Sequence, residues 1–296
     1  MVRQTQDDQI AVLEGALENA LRQVPDAALS EMLSFGVFPA GKRIRPHLFL
    51  ELVKVFGGEV TEDCYHVACA IELIHCASLI HDDLPSIDND LMRRGKPAFH
   101  VQYGIANAVL GGDLLYAIAL GEVGKVSDLQ TGAEVMKVVT EAHIDVQVGQ
   151  LLDIQNGQDI ETLKRVHDLK TGTLFKACAL SAYAFRQPEC STIREDAEAF
   201  GIAFGRLFQL RNDLDDAHQV EELARAAGSD LASGRGSLER FSLQDQQDLQ
   251  ATARVELINS LERLVSHSAP SSSGALSPSV GSQSEGALRS LVAEYL

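Results

Sequence analysis

The sequence has little of what a nucleic-acid or membrane-surface protein uses. It contains no tryptophan, 5% of its residues are aromatic, and 25 basic residues stand against 42 acidic ones. The net charge of −17, with His neutral, disfavours binding to nucleic acid or anionic lipid through the general surface. We therefore expect no nucleic-acid partner, and an anionic substrate would need a local basic pocket or metal ions.

Cysteine is scarce and targeting segments are missing. The five cysteines form no Cys-x-x-Cys pair, and three lie in apolar helical runs, which predicts reduced thiols in the core. Residues 1–10 lack the apolar segment of a signal peptide, and no apolar run reaches membrane-spanning length. We therefore expect a soluble cytoplasmic protein without stable membrane insertion.

Strand signals are missing as well, because no alternating apolar pattern flanks an Asn-Gly or Asp-Gly turn. Apolar residues instead recur at helical spacing along most of the chain. The predicted helices cover residues 6–24, 42–55, 62–81, 107–126, 130–156, 161–185, 193–218 and 238–265. The pattern predicts an all-α protein, a bundle of long helices in one domain over residues 1–296.

One segment departs from the helical pattern. Residues 266–285 are rich in Ser, Gly and Pro, and such a segment buries too little apolar surface to order itself. We predict a flexible loop there. Residues 286–296 are amphipathic again and are predicted to dock as a final helix.

Acidic residues concentrate where the apolar helical run that begins at Ile71 ends. This cluster and the basic residues after it comprise Asp82, Asp83, Asp88, Asp90, Arg93 and Arg94. Clustered carboxylates repel one another, so a cation among them is favourable, and oxygen-only ligands suit Mg²⁺. Adjacent arginines suit phosphate oxygens. Surface ion pairs in a solvated loop are the usual alternative, but these acids end an apolar helix at the rim of a core.

Further polar patches interrupt apolar helices downstream and upstream of the acidic cluster. They comprise Lys42 and Arg45, His75, Gly149 to Asp153, Lys170 to Gly172, and a second acidic cluster from Phe208 to Asp216. Each patch alone has a structural explanation, such as a surface turn, a core histidine or a helix kink. Their joint occurrence favours a phosphate-binding site.

With these motifs in this order, the sequence resembles the trans-isoprenyl diphosphate synthases, typified by farnesyl and geranylgeranyl diphosphate synthases. The resemblance runs from Gly41 to about residue 237 and rests on the acidic motif at 81–88, on Arg93 to Pro97, and on Gly112 to Leu115, Gly149-Gln150 and Lys170 to Gly172. It implies a single-domain bundle of antiparallel helices around a central active-site cavity. Homodimers are common in the family, so a homodimer is expected by resemblance.

The resemblance also implies a reaction. The enzyme would condense isopentenyl diphosphate with an allylic diphosphate (dimethylallyl, geranyl or farnesyl) by ionisation, condensation and elimination. The product would be farnesyl (C15) or geranylgeranyl (C20) diphosphate, and Mg²⁺ would assist the leaving diphosphate.

Roles follow residue by residue from the family motifs. The implied Mg²⁺ ligands are Asp82, Asp83, Asp88, Asp213 and Asp216. The allylic diphosphate would be supported by Arg93, Lys170 and Gln209. The main-chain carbonyls around Lys170 and Thr171 and the Gln209 amide would stabilise the cation. Isopentenyl diphosphate would be held without metal by Lys42, Arg45, His75 and Arg94.

The sequence departs from the family pattern at three positions. Asn212 replaces the first carboxylate of the second motif, which should weaken metal affinity. Arg225 and Arg235 stand where the family normally carries lysines, and the two residue types are not interchangeable at a phosphate.

Two alternatives follow from these departures. One is a class I terpene synthase-like cyclase, since Asn212 to Leu214 resembles the start of that metal motif, but retention of Lys42, Arg45 and His75 favours a second substrate. The other is a weakly active regulatory subunit of a prenyl synthase, which the intact first motif disfavours.

In this family, a bulky side chain at the bottom of the cavity limits the length of the product. The position five residues before Asp82 holds the small Ala77, so Ile74 or Tyr116 could instead form the bottom of the cavity.

Overall fold

The computed structural model describes residues 6–155, 159–186, 190–227, 241–267 and 278–296, except the side chains of 6, 215–227 and 278–283. The helices are α1 (Gln6–Leu21), α2 (Ala27–Val37), α3 (Ile44–Val55), α4 (Glu62–Asp82), α5 (Phe99–Tyr103), α6 (Ile105–Val123), α7 (Leu129–Ile154), α8 (Ile160–His167), α9 (Thr173–Ala184), α10 (Ser191–Ala227), α11 (Leu243–Ser266) and α12 (Pro278–Ala293). The predicted all-α class is confirmed. One cluster of buried apolar residues extends from α1 to Tyr295. That residues 1–296 form a single domain stays a prediction.

Local sequence signals explain where several helices begin. Asp26, Asp128, Asp159 and Ser242 each precede a helix and accept a hydrogen bond from a backbone amide of its first turn. Such caps satisfy amides that have no partner inside the helix. Helix α4 is the central element, since buried residues lie on all its sides and it packs against α1, α3 and α6. It therefore carries the first acidic motif from the core to the rim.

A short β-hairpin follows the first acidic motif. Strand β1 (Met92–Arg93) pairs antiparallel with β2 (Lys96–Pro97) across a two-residue turn. Both turn residues have positive φ, 52° at Arg94 and 75° at Gly95, as hairpin turns of this length require. The sequence prediction missed this hairpin because Arg-Gly replaces the usual Asn-Gly signal and each strand has two residues.

The helix predicted over 161–185 is interrupted. A π-helix (Asp168–Gly172) separates α8 from α9, and the amide of Thr173 donates to the carbonyl of Asp168, five residues back. π-Helical turns are rare and are frequent at functional sites. The interruption at Lys170, for which a helix kink was the structural explanation, is therefore a wider helical turn.

The loop predicted over residues 266–285 needs correction. Helix α11 extends to Ser266 and α12 begins at Pro278, so residues 278–285 are helical, while 268–277 lie outside the described residues. The physical reason is burial: Tyr295 of the same C-terminal segment packs its ring against Phe204 and Phe208. This docking confirms the predicted final helix and lengthens it toward the Ser-rich stretch.

Two helices among the described residues are long and apolar enough to cross a membrane, which corrects the expectation that no run reaches that length. They are Glu62–Asp82 and Ile105–Val123, and 72% and 33% of their apolar windows are buried within the protein. The first is thus a core helix. The second keeps an exposed apolar face.

Candidate active site

The first acidic motif lies at the C-terminal end of α4. Burial raises the pKa of Asp82 from its ordinary 3.8 to about 7; Lys170 opposes this rise, and the charges of Asp88 and Asp83 add to it. Burial also raises the pKa of Asp88. The backbone joins the two residues, because the amide of Asp88 donates to the carbonyl of Asp82 at 2.9 Å. Asp82 and Asp88 therefore form a crowded pair of oxygen donors.

Asp83 lies on a different side of this turn. It is 2% exposed, and Arg93 donates from Nε and Nη2 to its two oxygens. The same guanidinium reaches Asp90 at 2.9 Å. Such a forked pair fixes both partners. Asp83 thus orients Arg93, whereas Asp82 and Asp88 interact with Lys170.

Lys170 joins the first motif from the π-helix. Its Nζ lies 2.7 Å from Oδ2 of Asp153 at the end of α7. Burial lowers the pKa of Lys170, but the charges of Asp153 and Asp82 outweigh it and the pKa rises. Asp153 also raises the pKa of Asp88. The structure therefore places Asp153 beside Lys170, next to Asp82 and Asp88. Asp153 was noted in the sequence without an assigned role.

Thr171, the next residue of the π-helix, contacts the second acidic motif. Its Oγ1 donates to Oε1 of Gln209 at 2.6 Å, and Nε2 of Gln209 donates to Oδ1 of Asp213 at 2.7 Å. The buried His167 places Nε2 3.0 Å from Oδ2 of Asp213. Consecutive residues, about 3.8 Å apart along the chain, thus connect the two acidic motifs. His167 was not predicted as a site residue, because its only signal in the sequence was its spacing of three residues from Lys170, on the same helix face.

A basic corner lies beside the start of α3. Arg45 is buried with its guanidinium 4.5 Å from the ring centroid of Phe175 and 5.6 Å from that of Phe208. Its Nη1 lies 3.4 Å from Nε2 of His75, and its Nε has no hydrogen-bond partner among the described residues. Burial and the charges of Arg45 and Arg94 hold the pKa of His75 well below its usual range. An anion would satisfy this excess of buried positive charge.

Neighbouring cations hold the segment before α3 in place. Arg43, with φ of 48°, is buried and pairs with Glu72 at 2.5 Å and Glu14 at 2.8 Å. Arg94 donates to the carbonyls of Val37 and Pro39, and its guanidinium fills the space where a Cβ on residue 41 would lie. Lys96 donates to the carbonyls of Phe35 and Phe38. These contacts bring Arg94 to the basic corner.

Not every predicted site residue joins these groups. Lys42 is exposed beside the basic corner. Residues 215–227 lack described side chains, so the predictions for Asp216 and Arg225 fall outside the described part of the chain. Arg235 lies in the undescribed segment 228–240.

The carboxylate oxygens of Asp82 and Asp88, which we call the acidic corner together with Asp153, fit a hard divalent ion. Among the described residues, no three His, Cys, Asp or Glu side chains form a ready-made metal cluster. Asp82 and Asp88 nevertheless offer carboxylate oxygens whose charges are buried and mutually repulsive, and a cation would relieve both costs. Mg²⁺ suits this open set, because it keeps waters and binds one or two carboxylates together with phosphate.

Comparison with known proteins agrees with this geometry. A family model described as polyprenyl synthetase matches residues 26–263. The geranylgeranyl diphosphate synthase of Cyanophora paradoxa is 31% identical over 258 residues, or 83% of this chain and 84% of that protein. Several other curated relatives are longer, and the chain spans 60% to 67% of their length.

Solved structures share the fold across nearly the whole chain. A geranyltransferase from Legionella pneumophila has a TM-score of 0.76 and 26% identity, covering 97% of this chain and 95% of that one. A geranyltransferase from Helicobacter pylori, complexed with magnesium and isoprenyl diphosphate, has a TM-score of 0.75 and 24% identity, covering 96% and 97%. The fold and site thus define an all-α prenyltransferase of the farnesyl and geranylgeranyl diphosphate synthase type. The chain belongs to the polyprenyl synthetase family, which confirms the resemblance found in the sequence.

Proposed function

We propose that this enzyme condenses isopentenyl diphosphate with an allylic diphosphate and releases diphosphate and a proton. The observation that carries the proposal concerns two consecutive residues. Lys170 lies close enough to the first acidic motif for the charges of Asp82 and Asp88 to raise its pKa, and Thr171 donates to Gln209, which in turn donates to Asp213. A diphosphate lying there would meet both acidic motifs at once.

On the allylic side, Lys170, Arg93 and Gln209 bind and orient the diphosphate. Asp82, Asp88 and Asp213 would hold Mg²⁺, with Asp216 completing the second motif. When bound, Mg²⁺ would stabilise the negative charge that develops on the leaving diphosphate. Thr171 orients the Gln209 amide toward Asp213, and the main-chain carbonyls around Lys170 and Thr171 would stabilise the developing cation. Asp83 acts by fixing Arg93.

On the other side, the basic corner binds isopentenyl diphosphate without metal. The Nε of Arg45, which has no hydrogen-bond partner within the described part of the chain, and the neutral His75 support this role. Arg94 and the exposed Lys42 complete the site. Holding both substrates side by side supplies the proximity that the bimolecular step requires. Arg225 and Arg235, which lie outside the described side chains, keep a positive charge where the family carries lysines, and we propose that they bind the diphosphates.

Product length would be short, C15 or C20. Ala77 is fully buried in α4, so it leaves more room than an aromatic residue would. Tyr116 of α6 stacks on His143 of α7 with ring centroids 3.9 Å apart and lies beside His81, so this pair is a second candidate floor.

The apolar face of α6 and α7 supports a homodimer. Leu110, Leu114, Ile144 and Leu151 are large apolar residues exposed on these two contacting helices. Large apolar residues exposed on neighbouring helices favour burial against a protein partner. We propose that a second copy of the chain covers it, and that the dimer works in the cytoplasm.

A product assay tests the proposal. The protein is incubated with Mg²⁺, labelled isopentenyl diphosphate and dimethylallyl, geranyl or farnesyl diphosphate, and products are resolved by chain length. We expect linear C15 or C20 diphosphate that requires both substrates. Hydrocarbon formed from the allylic substrate alone would indicate a cyclase, and lack of turnover would indicate a regulatory subunit.

A further inference from the structure

We propose that Arg206 is a positioning residue for the allylic site, because its guanidinium holds the π-helix through Asp168 and so fixes Lys170 and Thr171. The inference rests on the proposed roles of those two residues. Arg206 itself touches neither acidic motif in any contact that the structure shows.

The contacts of Arg206 connect three helices. From α10, its Nε and Nη2 donate to the two oxygens of Asp168 at 2.8 Å each. Its Nη1 donates to Glu256 of α11. The Arg206 and Asp168 side chains are 22% and 28% exposed, so the pair is sheltered from bulk water. A forked pair of this kind fixes direction as well as distance.

Close backbone packing also positions the π-helix, in addition to the hydrogen bonds of the Lys170 and Thr171 side chains. A Cβ on Gly149 would lie 2.4 Å from the amide nitrogen of Lys170, and one on Gly205 would lie 2.5 Å from the Cα of Gly172. Helices α7 and α10 therefore press on the middle and the end of the π-helix. Its first residue, Asp168, is the one that Arg206 fixes.

Loss of the Arg206–Asp168 pair would change which residues of the π-helix face the site. A π-turn contains one residue more than an α-turn, and its collapse to an α-turn would rotate a residue by about 100° around the axis. Lys170 would then point away from Asp153, and Thr171 away from Gln209. Misplacement of binding groups by about 1 Å already costs up to about 100-fold in rate.

The experiment compares four variants of the protein with the wild type, and the fourth, Arg206→Lys, keeps the positive charge. Arg206→Met keeps the aliphatic part of the side chain and removes the guanidinium group. Asp168→Asn weakens the same ion pair from the π-helix side. Glu256→Gln is the matched control, because it alters the other bridge of the same guanidinium without touching the π-helix. Hydrogen exchange of the segment 166–174, thermal unfolding, and kcat and KM for each substrate are measured.

We expect Arg206→Met and Asp168→Asn to speed exchange in that segment and to lower kcat by about 10- to 100-fold. KM should rise for the allylic substrate and stay unchanged for isopentenyl diphosphate, and Arg206→Lys should restore part of the activity. Glu256→Gln should behave as wild type. Unchanged exchange in both variants, or equal changes in the control, would overturn the inference. A wild type without turnover would refute the proposed function, while the exchange data would still decide the role of Arg206.

Discussion

Asp82 shows how one carboxyl group links stability to metal binding. Its pKa, raised by burial from 3.8 to about 7, means that the folded protein keeps a proton that the unfolded chain releases near pH 4. Asp82 therefore contributes its full stability below about pH 4 and loses it as the pH rises through 7. Mg²⁺ requires the deprotonated form, so protons and metal compete for this residue.

This competition predicts a pH-dependent effect of Mg²⁺ on unfolding. With inorganic diphosphate present, the rise in Tm caused by Mg²⁺ should grow from pH 6 to pH 8, since apparent affinity falls about tenfold per pH unit below the pKa. Asp82→Asn should give a small and flat response. Asp83→Asn is the control, because Asp83 engages Arg93, and it should keep the pH dependence. A flat response in the wild type would contradict the assignment.

A second prediction concerns the small residue under the first motif. Ala77→Tyr places a ring in the core of α4, about one and a half turns below Asp82, and should shorten the product by at least one isoprene unit. Chain-length analysis of the product measures this. Tyr116→Phe keeps the ring of the other candidate floor and should leave the product unchanged. The same product distribution from Ala77→Tyr would locate the floor elsewhere.

At this scale the sequence motifs were sufficient to find most of the acidic and basic corners. They could not separate Asp82 from its neighbour Asp83, because the direction of each side chain depends on how α4 ends and on the hairpin that brings Arg93 back. Asp153 and His167 were also missed as site residues. Their importance arises from contacts between α7, α8 and α10, which no single segment reveals.

At the scale of elements, glycines allow the close helix packing that determines where the π-helix lies, because they have no Cβ. Helix α10 approaches so closely that a Cβ on Gly205 would lie 2.5 Å from the Cα of Gly172. A clash with backbone cannot be relieved by a side-chain rotation. Even one methyl group therefore forces the helices apart.

Gly205→Ala should accordingly destabilise the protein by about 1–3 kcal/mol, although alanine is the better helix former. Gly15→Ala in α1 is the matched control, because a Cβ there would meet nothing within 4 Å. It should be neutral or stabilise by up to about 1 kcal/mol. Chemical denaturation measures both values, and a neutral Gly205→Ala would refute the close packing.

Helical periodicity predicted the long helices to within a few residues at most ends, because their apolar faces pack on one core. It missed α2 and α5, which are short, and the hairpin, whose turn has an unusual sequence. It also could not predict the π-helix, since a wider turn leaves the apolar spacing of the segment nearly unchanged. Those elements are fixed by tertiary contacts, such as the forked pair of Arg206 and Asp168.

For the whole molecule, the exposed face of α6 and α7 predicts association. Leu110, 61% exposed, lies on this face, so Leu110→Glu should convert a dimer to monomers by burying a charge at the interface. Analytical ultracentrifugation measures the mass. Val255→Glu on α11, at a similar exposure of 56%, is the control and should leave the mass unchanged. A monomeric wild type would refute the homodimer.

The central claim is that one active site binds two diphosphates by different chemistry, one with metal at the carboxylates and one without metal at the basic corner. Calorimetric titration tests this most directly, with isopentenyl diphosphate and a non-hydrolysable geranyl diphosphate analogue, each with Mg²⁺ and with chelator. We predict that isopentenyl diphosphate binds equally in both conditions, whereas the geranyl analogue binds only with Mg²⁺. The same metal dependence for both ligands would contradict the account.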